Sequence, residues 1–395
     1  MTREFKLPAE QEFRNRVEKV RKAMVSKDLD ALVVYADEHR IHGGNCHYLS
    51  GYRSTIRYYY ELVIPRDGEI TMIIQPGINR SDINLSTKVC WIKDIRTVGV
   101  AGATVDPGYN IDRMNIVDYA GTTKTLLSER GLATGRIGIS SMDSMSHRLL
   151  QSFRSALPDA TLIDGAGIVE AARKVKSPWE IEVLREAHRL SDLSLDAFLE
   201  IATPGMRQEE AISCANYATV KAGAEAAFSI MGAGFDPFVW GSLRGELRFI
   251  ENDIIPAEFN AMYGAYYGQV CRTRFLGKPT DAQVRAYHAV NEAENAMASL
   301  LRPGAVMRDL WHKGNEVLGT YGLKFFVEGR PGHGIGLTIA ENFNVGANET
   351  DVLEPDCVIL IHPSVPLNPG KIMLGNAYRI TATGSERITH AKYWL

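Results

Sequence analysis

No run of about twenty apolar residues occurs in this chain, so nothing in it reads as a membrane-spanning helix. The opening MTREFK is polar, which argues against a secretion signal. Cysteine is sparse: Cys46, Cys90, Cys214, Cys271 and Cys357 are odd in number, widely spaced and without a CxxC pair. That pattern fits reduced thiols and argues against a disulfide framework. Charge of one sign is lacking too. A net charge of −3 gives no reason to expect nucleic acid or an anionic membrane as partner. No internal repeat or low-complexity segment is apparent. These absences predict a cytoplasmic protein that works on a small molecule.

What is present is enough for two domains: 395 residues with 45% hydrophobic content support two sizeable cores. In the first half, periodicity predicts a helix over 13–27 and strands over 29–35, 61–65, 70–75 and 136–140. A long helix is predicted from 177 to about 201, broken at 203–205 (TPG) and resumed over 207–223. Further helices are expected over 281–301 and 307–321. The expected division is an α/β domain over 1–168 and an α+β domain over 169–395.

Three segments carry chemistry. The stretch 331–341 (PGHGIGLTIAE) sets His333 between glycines, where the backbone is free to bring an imidazole close to a buried ligand. Upstream, 254–273 reads as a strand, a glycine turn and a returning strand that ends in Arg272 and Thr273. Downstream, 353–363 reads as a turn and a buried strand carrying His362 at its end. In this order and spacing they resemble the catalytic half of the pita-bread family: prolidase, aminopeptidase P, methionine aminopeptidase and creatinase. The string 172–180 (ARKVKSPWE) resembles the R-x-x-K-S-x-x-E that introduces the family's catalytic domain. Leu300 to Gly304 and Thr383 to Thr389 resemble further landmarks.

The resemblance implies a catalytic pocket but an altered one. The family's peptidases hold two metal ions on two aspartates, a histidine and two glutamates. Here Glu258 and Gln269 stand at the aspartate positions, His333 is retained, His362 replaces a glutamate, and the last glutamate falls near Gly375 and Asn376. Two adjacent ions need bridging carboxylates to offset their repulsion, so no cofactor is expected, with a single divalent ion on Glu258, His333 and His362 as the alternative. Creatinase, which works without metal, has a histidine base where this chain runs Gly234 to Gly241 without one. It also has glutamates at the positions of Cys271 and His362, so creatine is not the expected substrate.

Each candidate also has a structural reading. Glu258 lies in an apolar, tyrosine-rich stretch where an unpaired charge is costly, or is a strand-end carboxylate. His362 is a catalytic imidazole or a core histidine satisfied by backbone. Gln269 and Cys271 are site residues or packing; no neighbouring base is legible that would make Cys271 a thiolate. Of Tyr263, Tyr266 and Tyr267, Tyr266 is the candidate substrate contact, the alternative being core. Glu341 sits where the peptidases have a glutamate beside a substrate-binding histidine, but that histidine is Ala340 here. Arg53 and Arg57, before three tyrosines, match a creatinase loop that reaches into the neighbouring subunit to bind a substrate carboxylate. This implies a homodimer; the alternative is a solvated loop.

The resulting expectation is a metal-independent, creatinase-like hydrolase of a C–N bond in a small carboxylated nitrogenous metabolite. His333 and His362 would serve as acid–base groups, with Glu258 and Gln269 beside them. Three alternatives stay open: a mononuclear-metal or Xaa-Pro peptidase-like enzyme, a lyase resembling dimethylsulfoniopropionate lyase, and a non-catalytic binding module.

Overall fold

The computed structural model describes residues 7–35, 44–52, 60–74, 90–98, 118–140, 142, 145–233, 247–326, 330–368 and 370–395. Arg53, Arg57 and the 234–241 segment lie outside the described residues. The chain forms two compact units, Met1–Arg173 and Lys174–Leu395.

In the first unit a mixed sheet runs in the order β4-β3-β2-β1-β5-β6. Its strands are β1 (Ala31–Tyr35), β2 (Tyr60–Pro65), β3 (Thr71–Ile74), β4 (Asp94–Thr97), β5 (Arg136–Ile139) and β6 (Thr161–Asp164). β1 pairs antiparallel with β2 and parallel with β5. The central strand is buried on both faces, which is why 31–34 reads as a continuous apolar run. The helix α1 (Glu10–Ser26) buries Phe13, Val17, Val20 and Met24, spaced at three and four residues.

The second unit opens with α2 (Pro178–Ile201). Its start is a capping box: Ser177 Oγ accepts from Glu180 N at 3.3 Å and Glu180 Oε2 accepts from Ser177 N at 2.9 Å. The chain resumes as α3 (Gln208–Lys221). A three-stranded sheet follows, β7-β8-β9, from β7 (Ala226–Met231), β8 (Ile254–Tyr263) and β9 (Tyr266–Phe275). Gly264 and Ala265, with φ of 56° and 67°, join β8 to β9. Two successive positive φ values make the tight primed turn that matches strand twist. Glu225 accepts the N–H groups of both turn residues, at 3.0 and 3.2 Å, which offsets the strain at Ala265.

Alternation then sorts the hairpin into two faces. Ala257, Phe259 and Val270 pack with Leu195, Phe198, Ala211 and Ala215 of α2 and α3. Gly268 lets α2 lie against β9: a Cβ there would stand 2.3 Å from the Ala187 carbonyl. The other face carries Glu258, Asn260, Gln269, Cys271 and Thr273.

The free edge of β9 is met by the start of a strand of a five-stranded sheet, β11-β10-β12-β15-β16. It contains β10 (Gly332–Gly334), β11 (Glu341–Asn344), β12 (Val358–Ile361), β15 (Asn376–Ile380) and β16 (Ser385–Arg387), with a small pair β13 (Ser364–Pro366) and β14 (Lys371–Met373) beside it. Cys271 and Gly375 exchange backbone hydrogen bonds of 3.1 and 2.9 Å. Thr273 Oγ1 both donates to Met373 O and accepts from Met373 N, at 2.9 Å each. The helices α4 (Asp281–Ala298) and α5 (Met307–Thr320) share a core with this region, through Val290, Leu310, Ile359 and Ile361 among others.

Candidate active site

Glu258 is 9% exposed, and its Oε2 accepts from Gln269 Nε2 at 2.7 Å. Burial pushes its carboxyl from 4.5 up to about 7, while the Lys371 ammonium, the Gln269 bond and Arg330 act to keep it ionised. A carboxyl balanced near neutrality can take up and release a proton at physiological pH.

β10 and β12 pair so that His333 stands opposite Leu360, and His362 N donates to Pro331 O at 2.8 Å just beyond the ladder. This brings the two imidazoles together, with centroids 5.0 Å apart and planes at 66°. His333 Nδ1 lies 3.0 Å from Gly334 O. A carbonyl only accepts, so Nδ1 carries the proton and Nε2 the lone pair. Burial, reinforced by Arg330, lowers His333 to about 4. Burial also holds His362 well below its ordinary value, helped by His333, Arg330 and Lys371. Both rings are therefore neutral at neutral pH. His362 Nε2 is buried with no hydrogen-bond partner among the described residues.

Two cations were not legible in advance. Lys371 is 7% exposed, and burial lowers its ammonium while Glu258 opposes that shift. Arg330 is exposed, and its Nη1 donates to Asn344 Oδ1 at 2.8 Å; its guanidinium is likewise lowered by burial and raised by Glu258. Glu258 is thus not the only fixed charge here. A signal existed for Lys371, a lone cation entering the short apolar strand KIM.

Cys271 is fully buried, opposite Glu258 in register. Burial, and next the Glu258 charge, drive its thiol well above the ordinary value, so it is no thiolate nucleophile. Tyr266 is not brought to this group: its hydroxyl donates to Glu180 Oε1 at 2.8 Å and its ring stands edge-on to Trp179. Glu341 is engaged elsewhere as well. Lys176 Nζ donates to Glu341 Oε1 at 2.6 Å, with both side chains almost fully buried. Thr338 N donates to its other oxygen at 3.3 Å. Arg53 and Arg57, expected to bind substrate, lie outside the described residues.

Behind the site a filled polar network fixes the backbone. Arg272 donates to Gly375 O, Asn376 Oδ1, Ala391 O and Lys392 O, and stacks on Tyr393 at 4.4 Å. Asn376 Nδ2 donates to both oxygens of Glu294 at 2.8 and 2.9 Å. Gly375 leaves room for His362: a Cβ there would fall 2.6 Å from His362 Cβ and 3.1 Å from Cys271 Cβ.

With this geometry in hand, the chain is matched by known proteins along most of its length. Metallopeptidase family M24 matches residues 182–389, and the creatinase/prolidase N-terminal domain matches residues 16–175. The Xaa-Pro dipeptidase of Pyrococcus furiosus is 26% identical over 251 residues, 62% of this chain and 72% of that protein. The ectoine hydrolase of Halomonas elongata is 23% identical over 401 residues, 96% of this chain and 95% of that one. Among solved structures, an Xaa-Pro dipeptidase from Bacillus anthracis superposes with a TM-score of 0.82 at 21% identity, covering 97% of this chain and 99% of that one. A zinc-substituted E. coli aminopeptidase P in complex with product superposes with a TM-score of 0.76 at 18% identity, covering 98% and 97%.

These matches overturn the expectation of a chain without a cofactor: the family is one of metallopeptidases, and zinc stands in one of the structures this fold resembles. Among the described residues, the side chains as placed do not fit that group. Among the described residues no three of His, Cys, Asp and Glu gather as ligands around one point, and Glu258 Oε2 already accepts from Gln269. Among the described residues no helix is long and apolar enough to cross a membrane. A pita-bread catalytic unit preceded by a creatinase-type domain, matched over 208 consecutive positions from 182 to 389, means that this chain belongs to the hydrolases of metallopeptidase family M24.

Proposed function

We propose that this chain hydrolyses a C–N bond in a small carboxylated nitrogen compound. The observation that carries the reading is the charge pattern around Glu258. A buried carboxyl raised to about 7 and the His333–His362 pair share two cations: Lys371 and Arg330 act on both Glu258 and His362. Cations at the edge of a low-dielectric pocket suit an anionic substrate group, which bidentate arginine pairing holds well. The full-length likeness to an ectoine hydrolase supports the same direction, since ectoine is a small cyclic amidine bearing a carboxylate.

In this mechanism Lys371 and Arg330 hold the substrate carboxylate and set the scissile carbon near Glu258. Ionised Glu258 takes a proton from water, whose oxygen attacks that carbon. His333 Nε2, the nitrogen with the lone pair, accepts the water's second hydrogen and so aims it. As the tetrahedral intermediate collapses the C–N bond breaks, and the protonated Glu258 returns its proton to the departing nitrogen. Gln269, donating to Glu258, orients the carboxylate throughout.

A second reading, Xaa-Pro dipeptide hydrolysis, draws on the same cations, because a dipeptide also ends in a carboxylate, and on the Pyrococcus furiosus relative. The deciding experiment incubates the purified full chain with ectoine, related cyclic amidines and lactams, and Xaa-Pro dipeptides, each with and without added zinc. Turnover of the carboxylated amidine or amide, with little dipeptide cleavage, is expected. Cleavage of Xaa-Pro dipeptides alone overturns the first reading in favour of the second.

A further inference from the structure

One residue on the hairpin's site face, Asn260, has no part in the proposed reaction. Asn260 follows Glu258 by two positions on β8 and stands directly opposite Gln269 on β9. Alternation therefore puts Glu258, Asn260, Gln269 and Cys271 on the same side of the sheet. Asn260 is fully buried, yet among the described residues neither Oδ1 nor Nδ2 has a hydrogen-bond partner, and Gln269 Oε1 has none either. Burying an amide without partners is costly, and native interiors seldom leave one so. This unit shows the usual behaviour a short way off: Asn376, equally buried, bonds Arg272 and Thr389 through Oδ1 and Glu294 through Nδ2. The two amides differ in what lies before them. Asn376 faces packed protein, whereas Asn260 shares its face with Glu258, the group that keeps 9% exposure.

We propose that Asn260 and Gln269 form a subsite for a planar amide or amidine group, with Asn260 reading both its hydrogen-bonding edges and so setting which nitrogen compound the site accepts. Gln269 has committed Nε2 to Glu258, so its Oε1 remains to accept an N–H of the ligand. Asn260 supplies one acceptor and one donor, the complement of an N–H beside a C=O or C=N. A carboxylate ligand group would meet the Asn260 donor but leave Oδ1 and Gln269 Oε1 unsatisfied. The inference rests on the C–N hydrolase reading for the reaction, but not for the binding step.

The test separates the two. Wild-type chain and Asn260→Ala are titrated with acetamide and with acetamidine by saturation-transfer NMR, and both are assayed on the carboxylated amidine or lactam that wild type turns over best. The expected result is fragment contact in wild type that disappears in the variant. KM should rise about tenfold, the size of one or two lost buried hydrogen bonds, with kcat changed much less. The melting temperature of the unliganded variant should be no lower than wild type, because the amide it loses makes no bond there among the described residues. Preference for acetamide over acetamidine, or the reverse, identifies which of the two groups the substrate presents. Fragment binding that depends on Asn260 while wild type hydrolyses nothing would remove the reaction reading and leave the subsite. Unchanged fragment binding and KM in Asn260→Ala would overturn the subsite. So would a lowered melting temperature with KM intact, the mark of a merely structural amide.

Discussion

Glu258→Gln keeps the side-chain volume and an oxygen that can accept from Gln269, and removes only the charge. In the folded chain burial raises the Glu258 carboxyl from 4.5 to about 7. The folded state therefore holds this proton more tightly than the unfolded state. The resulting stability is fully present below the unfolded value and is lost as pH rises through the folded one. At about 1.36 kcal/mol per pH unit, a rise of about 2.5 units corresponds to about 3.4 kcal/mol, of which about 2.5 kcal/mol disappears between pH 5 and pH 8. His333, lowered to about 4, contributes in the opposite sense, losing stability as pH falls from 6.5 through 4. That contribution is common to both proteins and cancels in their difference. Urea unfolding of wild type and variant at the two pH values, compared through midpoint and slope, measures the quantity. Relative to wild type, the variant should gain about 2.5 kcal/mol from pH 5 to pH 8. Parallel pH profiles would refute the argument that burial sets this carboxyl. On the proposed mechanism the same variant loses turnover by about a hundredfold or more, since the proton acceptor is gone.

Gly375→Ala should lower stability by about 1–3 kcal/mol, because the new Cβ would sit 2.6 Å from His362 Cβ; an unchanged melting temperature would count against this packing. Lys176→Met should destabilise by about 3–5 kcal/mol by stranding the buried Glu341 carboxylate, and Glu341→Gln added to it should recover part of the loss. No recovery in the double variant would mean that the pair is not coupled. Lys371→Met removes the charge that most favours ionised Glu258, so the acid limb of the pH–rate profile should move to higher pH and KM for carboxylated substrates should rise. An unmoved limb would show that Lys371 does not act on Glu258. Ala265→Gly should stabilise by up to about 1 kcal/mol by relieving a positive φ at a non-glycine position, and a lowered melting temperature would contradict the turn geometry.

Elements with strong periodicity were legible from the chain itself. The long helix predicted from 177 to about 201 is Pro178–Ile201, started by the Ser177 and Glu180 box that the letters S-P-W-E announce. The helix expected over 281–301 is Asp281–Ala298, and the β8–β9 hairpin turns where glycine and alanine interrupt the tyrosines. Ends were less legible: the strand read over 29–35 is Ala31–Tyr35, and the one read from 70 starts at Thr71, because a strand stops where its partner stops and the partner is not local. Partners distant in the chain were not legible. Lys176 and Glu341 each stood out, but only the fold pairs them with each other. Tyr266, picked out as a contact for substrate, bonds Glu180 eighty-six positions away.

The sequence by itself determined local matters: which stretches can be helix or strand, where the chain must turn, and which polar residues are stranded in apolar surroundings. Apolar surroundings singled out Glu258 and His362, and the resemblance to the pita-bread family added Gln269 and His333 by position. Tertiary structure alone decided what each meets. The centroids of His333 and His362 come within 5.0 Å only because β10 and β12 pair antiparallel in one register, and a shift of one residue would turn His333 to the other face. Lys371 and Arg330 act on Glu258 across more than seventy residues of chain, and the burial of Asn260 without a partner among the described residues is likewise a property of the fold. Charge and hydrogen bonding depend on distance in space and on exclusion of water, and neither is a property of neighbours in sequence.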